Sequence, residues 1–239
     1  MGPVGISGEH AVQRLGPAGG KWGRRALRHL LYFKTRGDEA VKQAEKNKKS
    51  REHILSYAFK DFAAQGYQGA SVNAICANGR ISKGLLYHYY ADKDALYLAC
   101  VERCFRELTE YLSGHLEEET VTPDQYFDTR LQFFREHSCH QRLFCDAVIN
   151  PQSHLKEALS VCRKAFDALN ESMLTAILRK ERLADGVSVS DAVRQLQLLA
   201  DFTSTYLKNS EQGGCQLEEH ERLCRQVLHT MLYGLIAHQ

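Results

Sequence analysis

Proline is scarce in this 239-residue sequence, with four residues in all, and long apolar runs are missing. No apolar stretch reaches the roughly 18 residues that a membrane-spanning helix requires, so the sequence predicts no membrane association. The first residues lack a continuous apolar core preceded by basic residues, which argues against a secretion signal. We therefore expect a cytoplasmic protein.

Common catalytic motifs are missing as well. The sequence contains no G-x-G-x-x-G, P-loop, H-E-x-x-H or G-x-S-x-G pattern, and none of its eight cysteines forms a C-x-x-C pair. In a reducing compartment such cysteines are expected to be free thiols. Cys100 and Cys104 share a helix face and Cys139 adjoins His140, so a metal or redox site is an alternative, although such thiols more often pack as small apolar groups. We predict no enzyme activity, no cofactor and no metal site.

Charge is distributed unevenly along the chain. Residues 1–107 contain 18 Lys and Arg against 10 Asp and Glu, whereas residues 108–239 contain 13 against 19. A basic front followed by an acidic remainder is typical of a nucleic-acid-binding segment joined to a part with another role. A basic segment can also be only a solvated tail, so this asymmetry is weak evidence by itself.

Apolar residues recur with helical spacing through most of the chain, which predicts an all-α protein. The predicted helices cover residues 48–65, 72–78, 83–90, 93–119, 123–137, 142–149, 153–182, 190–209 and 217–237, the last two joined by a turn at Gly213 and Gly214. We predict three parts: a poorly ordered basic, glycine-rich extension (1–46), a DNA-binding domain (47–107) and a helical ligand-binding and dimerisation domain (108–239). The extension is either partly non-native or a basic arm that follows DNA.

Two short helices within residues 71–90 form the most informative pattern. Ser71 and Ser82 are suited to cap the two helices, and the turn between them contains Gly79 and Arg80. Short helices across a tight turn, supported by a longer preceding helix, predict a helix-turn-helix whose second helix enters the major groove. Leu86 and Tyr90 are expected to face the first helix. For Tyr87 and Tyr89, core packing and DNA contact are equally compatible with the pattern.

The segment from Arg51 to Leu98 resembles the DNA-binding domain of TetR-family repressors. The matching positions are Ile54-Leu55, Ala58, Phe62, Gly66-Tyr67, Ser71, Ile75, Ser82-Lys83-Gly84, Leu86-Tyr87, Lys93 and Leu96. Three positions depart from the family pattern. Gly79-Arg80 replaces the usual Ala-Gly, so Arg80 is expected to hold a positive φ, while Tyr89 and Tyr90 replace the usual His and Phe.

The resemblance implies which residues contact DNA. Phosphate contacts are implied for Ser71, Tyr87 and Lys93, and base or phosphate contacts for Lys83, Gly84, Leu85, His88 and Tyr89. The hydroxyl of Ser82, beside the N–H groups that begin a helix, also suits a phosphate. The full set of predicted DNA-binding residues is Ser71, Ser82, Lys83, Gly84, Leu85, Tyr87, His88, Tyr89 and Lys93.

For the rest of the chain, the resemblance implies a homodimer formed by the last two helices and a pocket for an unidentified small-molecule effector. Ordinary core packing is the alternative for those two helices. Aromatic residues that could line the pocket or simply fill the core are Phe105, Tyr111, Tyr126, Phe133, Phe134, Phe144 and Phe166, with Cys139, His140 and Cys145 adding polarity.

These patterns predict a transcription regulator that binds a double-stranded DNA operator and is released from it by a small molecule, hence a repressor. The mechanism expected is a population shift toward a dimer geometry that no longer matches the two half-sites. A helical scaffold or protein-interaction module without specific DNA binding is the alternative, and a thiol-dependent enzyme is a third hypothesis.

Overall fold

The computed structural model describes the backbone of residues 21–40 and the complete residues 41–183, 185–209 and 217–233. This part of the chain is helical and contains no β-strand. Its elements are α1 (Lys21–Gly69), α2 (Val72–Gly79), α3 (Lys83–Tyr89), α4 (Lys93–His115), α5 (Pro123–Glu136), α6 (Ser138–Val148), a 3₁₀ turn (Ser153–Leu155), α7 (Lys156–Leu178), α8 (Val189–Lys208) and α9 (Leu217–Tyr233). The all-α prediction is confirmed.

The chain divides into two compact units, residues 1–51 and residues 52–239. In the first unit the helix begins at Lys21, whereas the sequence predicts poor order to about residue 35 and then a helix that leads into residue 48. The segment 38–49 is rich in Ala, Glu, Gln and Lys, which are good helix formers, and this composition favours the part of α1 that leads into residue 48. Residues 1–20 of the predicted extension, and the turn at Gly213 and Gly214, lie outside the described residues.

The second unit begins with the amphipathic part of α1. Ile54, Leu55, Ala58, Phe59 and Phe62 are all buried, as their i, i+3, i+4 spacing predicts. They form one core with the buried faces of α2, α3 and α4, and the Phe62 and Tyr97 rings meet edge to face at 5.1 Å between centroids. This packing fixes the short helices α2 and α3 against longer ones.

Helix α4 joins the front of the second unit to the remaining helices. Asp92 begins it, because its Oδ1 accepts a hydrogen bond from the Ala95 N–H at 2.7 Å. Beyond Tyr97 the buried residues of α4 pack against α5, α6 and above all α7, while α8 packs against α9. The predicted domain boundary at residue 107 falls inside this continuous helix, so the boundary stays a prediction.

Other helix ends follow local sequence. Thr122 and Gln125 form a capping box at the start of α5, where Pro123 occupies the first turn. Ser188 caps the start of α8, and Gly186 in the preceding turn has a positive φ (82°). The predicted helix over residues 153–182 is in fact a 3₁₀ turn followed by α7, which ends at Leu178.

The cysteines are only partly as expected. Cys76, Cys100, Cys104, Cys139, Cys162 and Cys224 are free thiols. Cys145 is disulfide-bonded, which corrects the prediction that it is a free thiol, and its partner lies outside the described residues. Burial raises the pKa of the Cys100 and Cys104 thiols, as expected of thiols packed in a core. Among the described residues, no group of three or more His, Cys, Asp and Glu residues is arranged to hold a metal ion.

Gly66 interrupts the helical conformation of α1 three residues before its end. Its φ of 67° and ψ of 176° lie in a region that is essentially restricted to glycine. One further helical turn follows Gly66. The Cβ of any other residue would also lie 2.6 Å from Nη2 of Arg142. The backbone conformation at Gly66 sets the path by which α1 leads into α2.

We expect Gly66→Ala to lower the free energy of unfolding by about 1–3 kcal/mol, because alanine is strained in this backbone region. Urea denaturation of the purified protein measures the change. Gly114→Ala is the matched control, since Gly114 lies inside α4 with nothing within 4 Å of its would-be Cβ. That control should be neutral or stabilising by up to about 1 kcal/mol. Equal effects of the two substitutions would contradict this account of Gly66.

Candidate nucleic-acid interface

Helices α2 and α3 are joined by a tight turn. Arg80 adopts the left-handed conformation (φ 51°, ψ 42°), as predicted. Its N–H donates to the Ala77 carbonyl at 3.2 Å, and the Ile81 N–H donates to the Cys76 carbonyl at 2.8 Å. These bonds satisfy carbonyls at the end of α2 and turn the chain directly into α3.

The departure from the family pattern at Gly79-Arg80 has a packing reason. A Cβ on Gly79 would lie 2.4 Å from Cδ1 of Ile81 and 3.1 Å from Cδ2 of Tyr57. The carbonyl of Gly79 also lies 2.9 Å from Nε2 of His53 on α1. Glycine is therefore the residue that fits at position 79, and the left-handed conformation falls on Arg80.

Helix α3 is held by its cap and by two buried side chains. The Ser82 hydroxyl accepts a hydrogen bond from the Leu85 N–H at 3.2 Å, which confirms the predicted cap. Leu86 and Tyr90 are buried against the core, as predicted. The opposite face of α3 therefore points in a fixed direction, although its residues are not part of the core.

The exposed face of α3 consists of predicted DNA-binding residues. Lys83, Gly84, Leu85, Tyr87 and His88 are exposed, and half of the Tyr87 surface is accessible. Tyr89 is half-buried, and its ring meets that of His88 at 4.9 Å. A Cβ on Gly84 would have nothing within 4 Å, so the backbone there is open to a close approach. The structure thus shows that the Tyr87 side chain is exposed rather than packed in the core. The Tyr89 side chain is intermediate between exposed and buried.

Ser71 and Lys93 flank this face. Ser71 precedes α2, but its side chain makes no cap bond, and its N–H donates to Oδ2 of Asp61 at 3.0 Å. The Lys93 ammonium is 3.4 Å from the carbonyl of Gln68 and 4.7 Å from the centre of the Tyr67 ring. Lys93 therefore reaches the end of α1, three residues before Ser71. Both are only partly buried, so their polar groups remain accessible.

A partly open cavity of about 350 Å³ lies in the second unit, lined by residues of α5, α6, α7, α8 and α9. Of the aromatic residues predicted for a pocket, Tyr126, Phe144 and Phe166 line it. Phe105, Phe133 and Phe134 are instead buried in the core, and Tyr111 packs at its edge. His140 lies away from the cavity, where its Nε2 is 2.6 Å from Oε2 of Glu107. This hydrogen bond lowers the pKa of Glu107 to about 2.

Sequence reasoning missed three residues that give the cavity its chemistry. Arg130, His220 and Phe127 line it, and both charged side chains are buried. Arg130 follows Tyr126 and Phe127 by four and three residues, so it shares their helix face. A charged residue on an otherwise aromatic helix face was the available signal.

Several hydrogen bonds near Gly66 connect the end of α1 to the helices around the cavity. The Tyr67 N–H donates to Oδ2 of Asp146 on α6 at 3.4 Å, and Nε of Arg142 donates to Oδ1 of the same carboxylate at 3.0 Å. The Tyr67 hydroxyl donates to Asp94, whose other oxygen is 3.2 Å from Nε2 of His154. Helix α6 therefore contacts the end of α1 with one face and lines the cavity with Phe144 and Val148.

Residues 54–100 match the family described as "Bacterial regulatory proteins, tetR family". A transcriptional repressor named AcnR from Corynebacterium glutamicum is 29% identical over 133 residues, which cover 51% of this chain and 68% of that protein. The regulator UidR from Escherichia coli K12 is 36% identical over 69 residues, or 27% of this chain and 35% of UidR. The family match covers about a fifth of the chain, and together with these relatives it supports a TetR-family transcriptional regulator whose DNA-binding segment is residues 54–100. The chain spans about a third of the length of UidR and two thirds of that of AcnR.

Solved TetR-family structures share the fold beyond the matched segment. The regulator FadR from Bacillus subtilis, solved with stearoyl-CoA, is 15% identical and superposes with a TM-score of 0.56, covering 77% of this chain and 99% of FadR. At this identity the likeness concerns the fold alone. It consists of an N-terminal helix-turn-helix domain followed by a larger helical domain. No described helix is long and apolar enough to cross a membrane.

We expect Arg80→Gly to raise the free energy of unfolding by about 0.5–1 kcal/mol. Relief of roughly 1–2 kcal/mol of left-handed strain should exceed the roughly 0.4–1 kcal/mol by which glycine favours the unfolded chain. Thermal or urea denaturation measures the difference. Arg80→Ala is the control, because alanine keeps the strain while removing the charge. An equal gain in both variants would attribute the effect to charge rather than to backbone conformation.

Proposed function

We propose that this protein is a cytoplasmic, homodimeric repressor that binds a palindromic DNA operator through α3 and is released when a small organic molecule enters the cavity. The observation that carries the proposal is the fixed orientation of α3, with Leu86 and Tyr90 buried and Lys83, Gly84 and Tyr87 exposed. A helix held in this way presents a constant surface to the major groove.

The DNA contacts follow from the exposed groups. Lys83, Leu85, His88 and Tyr89 lie along the groove-facing helix, and Gly84 lets the backbone approach closely. Ser71, Tyr87 and Lys93 contact phosphates on either side, with Ser82 at the helix N-terminus. Lys83 has no carboxylate partner in an ion pair among the described residues, so its charge is available to DNA.

A second copy of the chain covers an exposed apolar stripe on α8. Leu198, Phe202 and Tyr206 follow one another at four-residue intervals, and 63%, 67% and 59% of their respective surfaces are accessible. Contiguous exposed apolar residues of this size commonly mark an interface. Helix α9 packs against α8, and we propose that the two helices together form the dimerisation face.

Helix α6 transmits the ligand signal. It lines the cavity with Phe144 and Val148, and it supports the end of α1 through Arg142 and Asp146. A ligand that binds more tightly to a shifted position of α6 displaces the Gly66–Tyr67 junction and with it α3. The dimer then populates a spacing between recognition helices that does not match the operator.

Tyr87→Phe and Lys93→Met are each expected to weaken operator binding, because each removes one phosphate contact per protomer. The operator is obtained by selecting bound duplexes from a random pool with the full chain, and affinity is measured by fluorescence anisotropy. For Lys93→Met, the slope of log affinity against log salt should fall in magnitude by about two, at roughly 0.9 for each of the two phosphates that the dimer no longer neutralises.

Arg106→Met is the matched control, since it removes one exposed charge from α4 away from α3. It should leave both affinity and salt slope unchanged. If no duplex is enriched over the pool, or if Tyr87→Phe and Lys93→Met bind as the parent does, the scaffold function without specific DNA binding is the better account.

Phe202→Arg is expected to convert the dimer to a monomer, because it places a charge in the middle of the apolar stripe on α8. Analytical ultracentrifugation measures the change in mass, and circular dichroism checks that the helices persist. Val187→Arg, at an exposed apolar position before α8, is the control and should remain dimeric. A dimeric Phe202→Arg variant would place the interface elsewhere.

A further inference from the structure

Arg130 is an unusual component of the cavity wall. Only 6% of its surface is accessible, and its guanidinium carbon lies 5.3–5.9 Å from the centres of four aromatic rings. Those rings belong to Tyr126, Phe127, Phe144 and Phe166. All four rings also line the cavity. A permanent cation is thus held beside an apolar space.

Arg130 shares its carboxylate partner with a histidine. Its Nη2 donates to Oε1 of Glu221 at 2.9 Å, and Nδ1 of His220 lies 3.3 Å from the same oxygen. Burial by itself lowers the pKa of His220, whereas hydrogen bonds to Cys224 and Glu221 raise it. The charge of Arg130 lowers the pKa of Glu221 against the effect of burial.

Hydrogen-bonding capacity is left over in the same place. The Nε–H of Arg130 and Oε2 of Glu221 are buried without a hydrogen-bond partner among the described residues. Nη1 of Arg130 makes only a 3.3 Å bond to the Tyr126 hydroxyl. Buried donors and charges without partners are strongly unfavourable, so a ligand that supplies an acceptor and a negative charge is favoured here.

The remaining surface of the cavity defines the rest of the ligand. A volume of about 350 Å³ is at the lower end of the roughly 300–1,000 Å³ typical of small-molecule sites. Leu174, Leu196, Val227 and Leu228 continue the apolar wall. The acidic lining residues are Asp167, which pairs with Arg163 at 3.0 Å, and the exposed Asp201. Neither forms an ion pair with Arg130, so Glu221 is the carboxylate that Arg130 contacts among the described residues.

We propose that the effector is a small organic carboxylate with a flat apolar or aromatic body. Its carboxylate accepts hydrogen bonds from the Nε–H and neighbouring N–H groups of Arg130, and its body lies among the four rings and the aliphatic wall. This inference rests on the proposed function only in naming the ligand an effector. A cationic ligand is disfavoured, because the permanent positive charge of Arg130 beside the cavity repels it.

The test is isothermal titration calorimetry of the full chain without DNA. The probes are benzoate, phenylacetate and 2-naphthoate, compared with benzamide, benzyl alcohol and benzylamine, which have similar bodies without the negative charge. We expect at least one acid to bind and each uncharged or cationic counterpart to bind roughly 10- to 100-fold more weakly, as for loss of a charged hydrogen bond. Equal binding of acids and amides, or no binding of any acid at millimolar concentration, overturns the proposal.

Variants identify the site. Arg130→Met alone leaves Glu221 buried without its partner and can fail to fold, so the double variant Arg130→Met, Glu221→Gln removes the pair together. It should lose the preference for acids. The matched control is Arg225→Met, Asp128→Asn, which removes another ion pair between α9 and α5 outside the cavity lining. An acid that binds the double variant as tightly as it binds the control overturns the assignment to Arg130.

A separate measurement keeps this inference distinct from the proposed function. The acid that binds is added to the complex of protein and selected operator, and release is followed by fluorescence anisotropy. Binding without release rejects the role as effector while the carboxylate site stands. Absence of a selected operator rejects the proposed function, and calorimetry still decides the ligand chemistry.

Discussion

The rest of the structure depends on the junction at Gly66 and Tyr67. A backbone conformation that only glycine adopts readily turns the end of α1 away from its helical path. This turn allows the Tyr67 N–H to reach Asp146 and the Tyr67 hydroxyl to reach Asp94, so that one residue connects α1, α4 and α6. The placement of α2 and α3 follows, since they begin directly after this junction and pack on the helix that ends there.

The buried side of α3 determines the direction in which its exposed face points. Leu86 and Tyr90 attach the helix to the core, and the Ser82 cap together with the Arg80 turn determine where it begins. None of these groups needs to contact DNA. Because the buried side fixes the direction, the side chains of Lys83, Tyr87 and His88 project outward from a constant position. Specific recognition by so short a helix requires such support, as well as a second copy that reads a second half-site.

The sequence predicted local structure well and long-range chemistry poorly. The cap at Ser82, the positive φ of Arg80 and the buried stripe beginning at Ile54 all depend on neighbours within a few residues, although the cap predicted for Ser71 makes no hydrogen bond. The cluster of Arg130, His220 and Glu221 joins positions about 90 residues apart, and no local pattern indicates such a pairing. Separation of aromatic residues into cavity wall and core likewise depends on how α5, α7 and α9 are arranged.

The buried charge cluster and the junction at Gly66 are linked through a single helix. The ring of Phe144 on α6 lies 5.8 Å from the guanidinium of Arg130, and Asp146, two residues later, accepts the bond from Tyr67. An anion bound as we propose accepts a hydrogen bond from the unpaired Nε–H of Arg130, so its binding contributes free energy inside the cavity. Only the part of that energy which differs between two positions of α6 can act on α3. A polar site that is incomplete without its ligand meets this requirement when it lies against the helix that supports the DNA-binding domain. A preformed apolar pocket that binds its ligand equally well in both positions of α6 does not meet it.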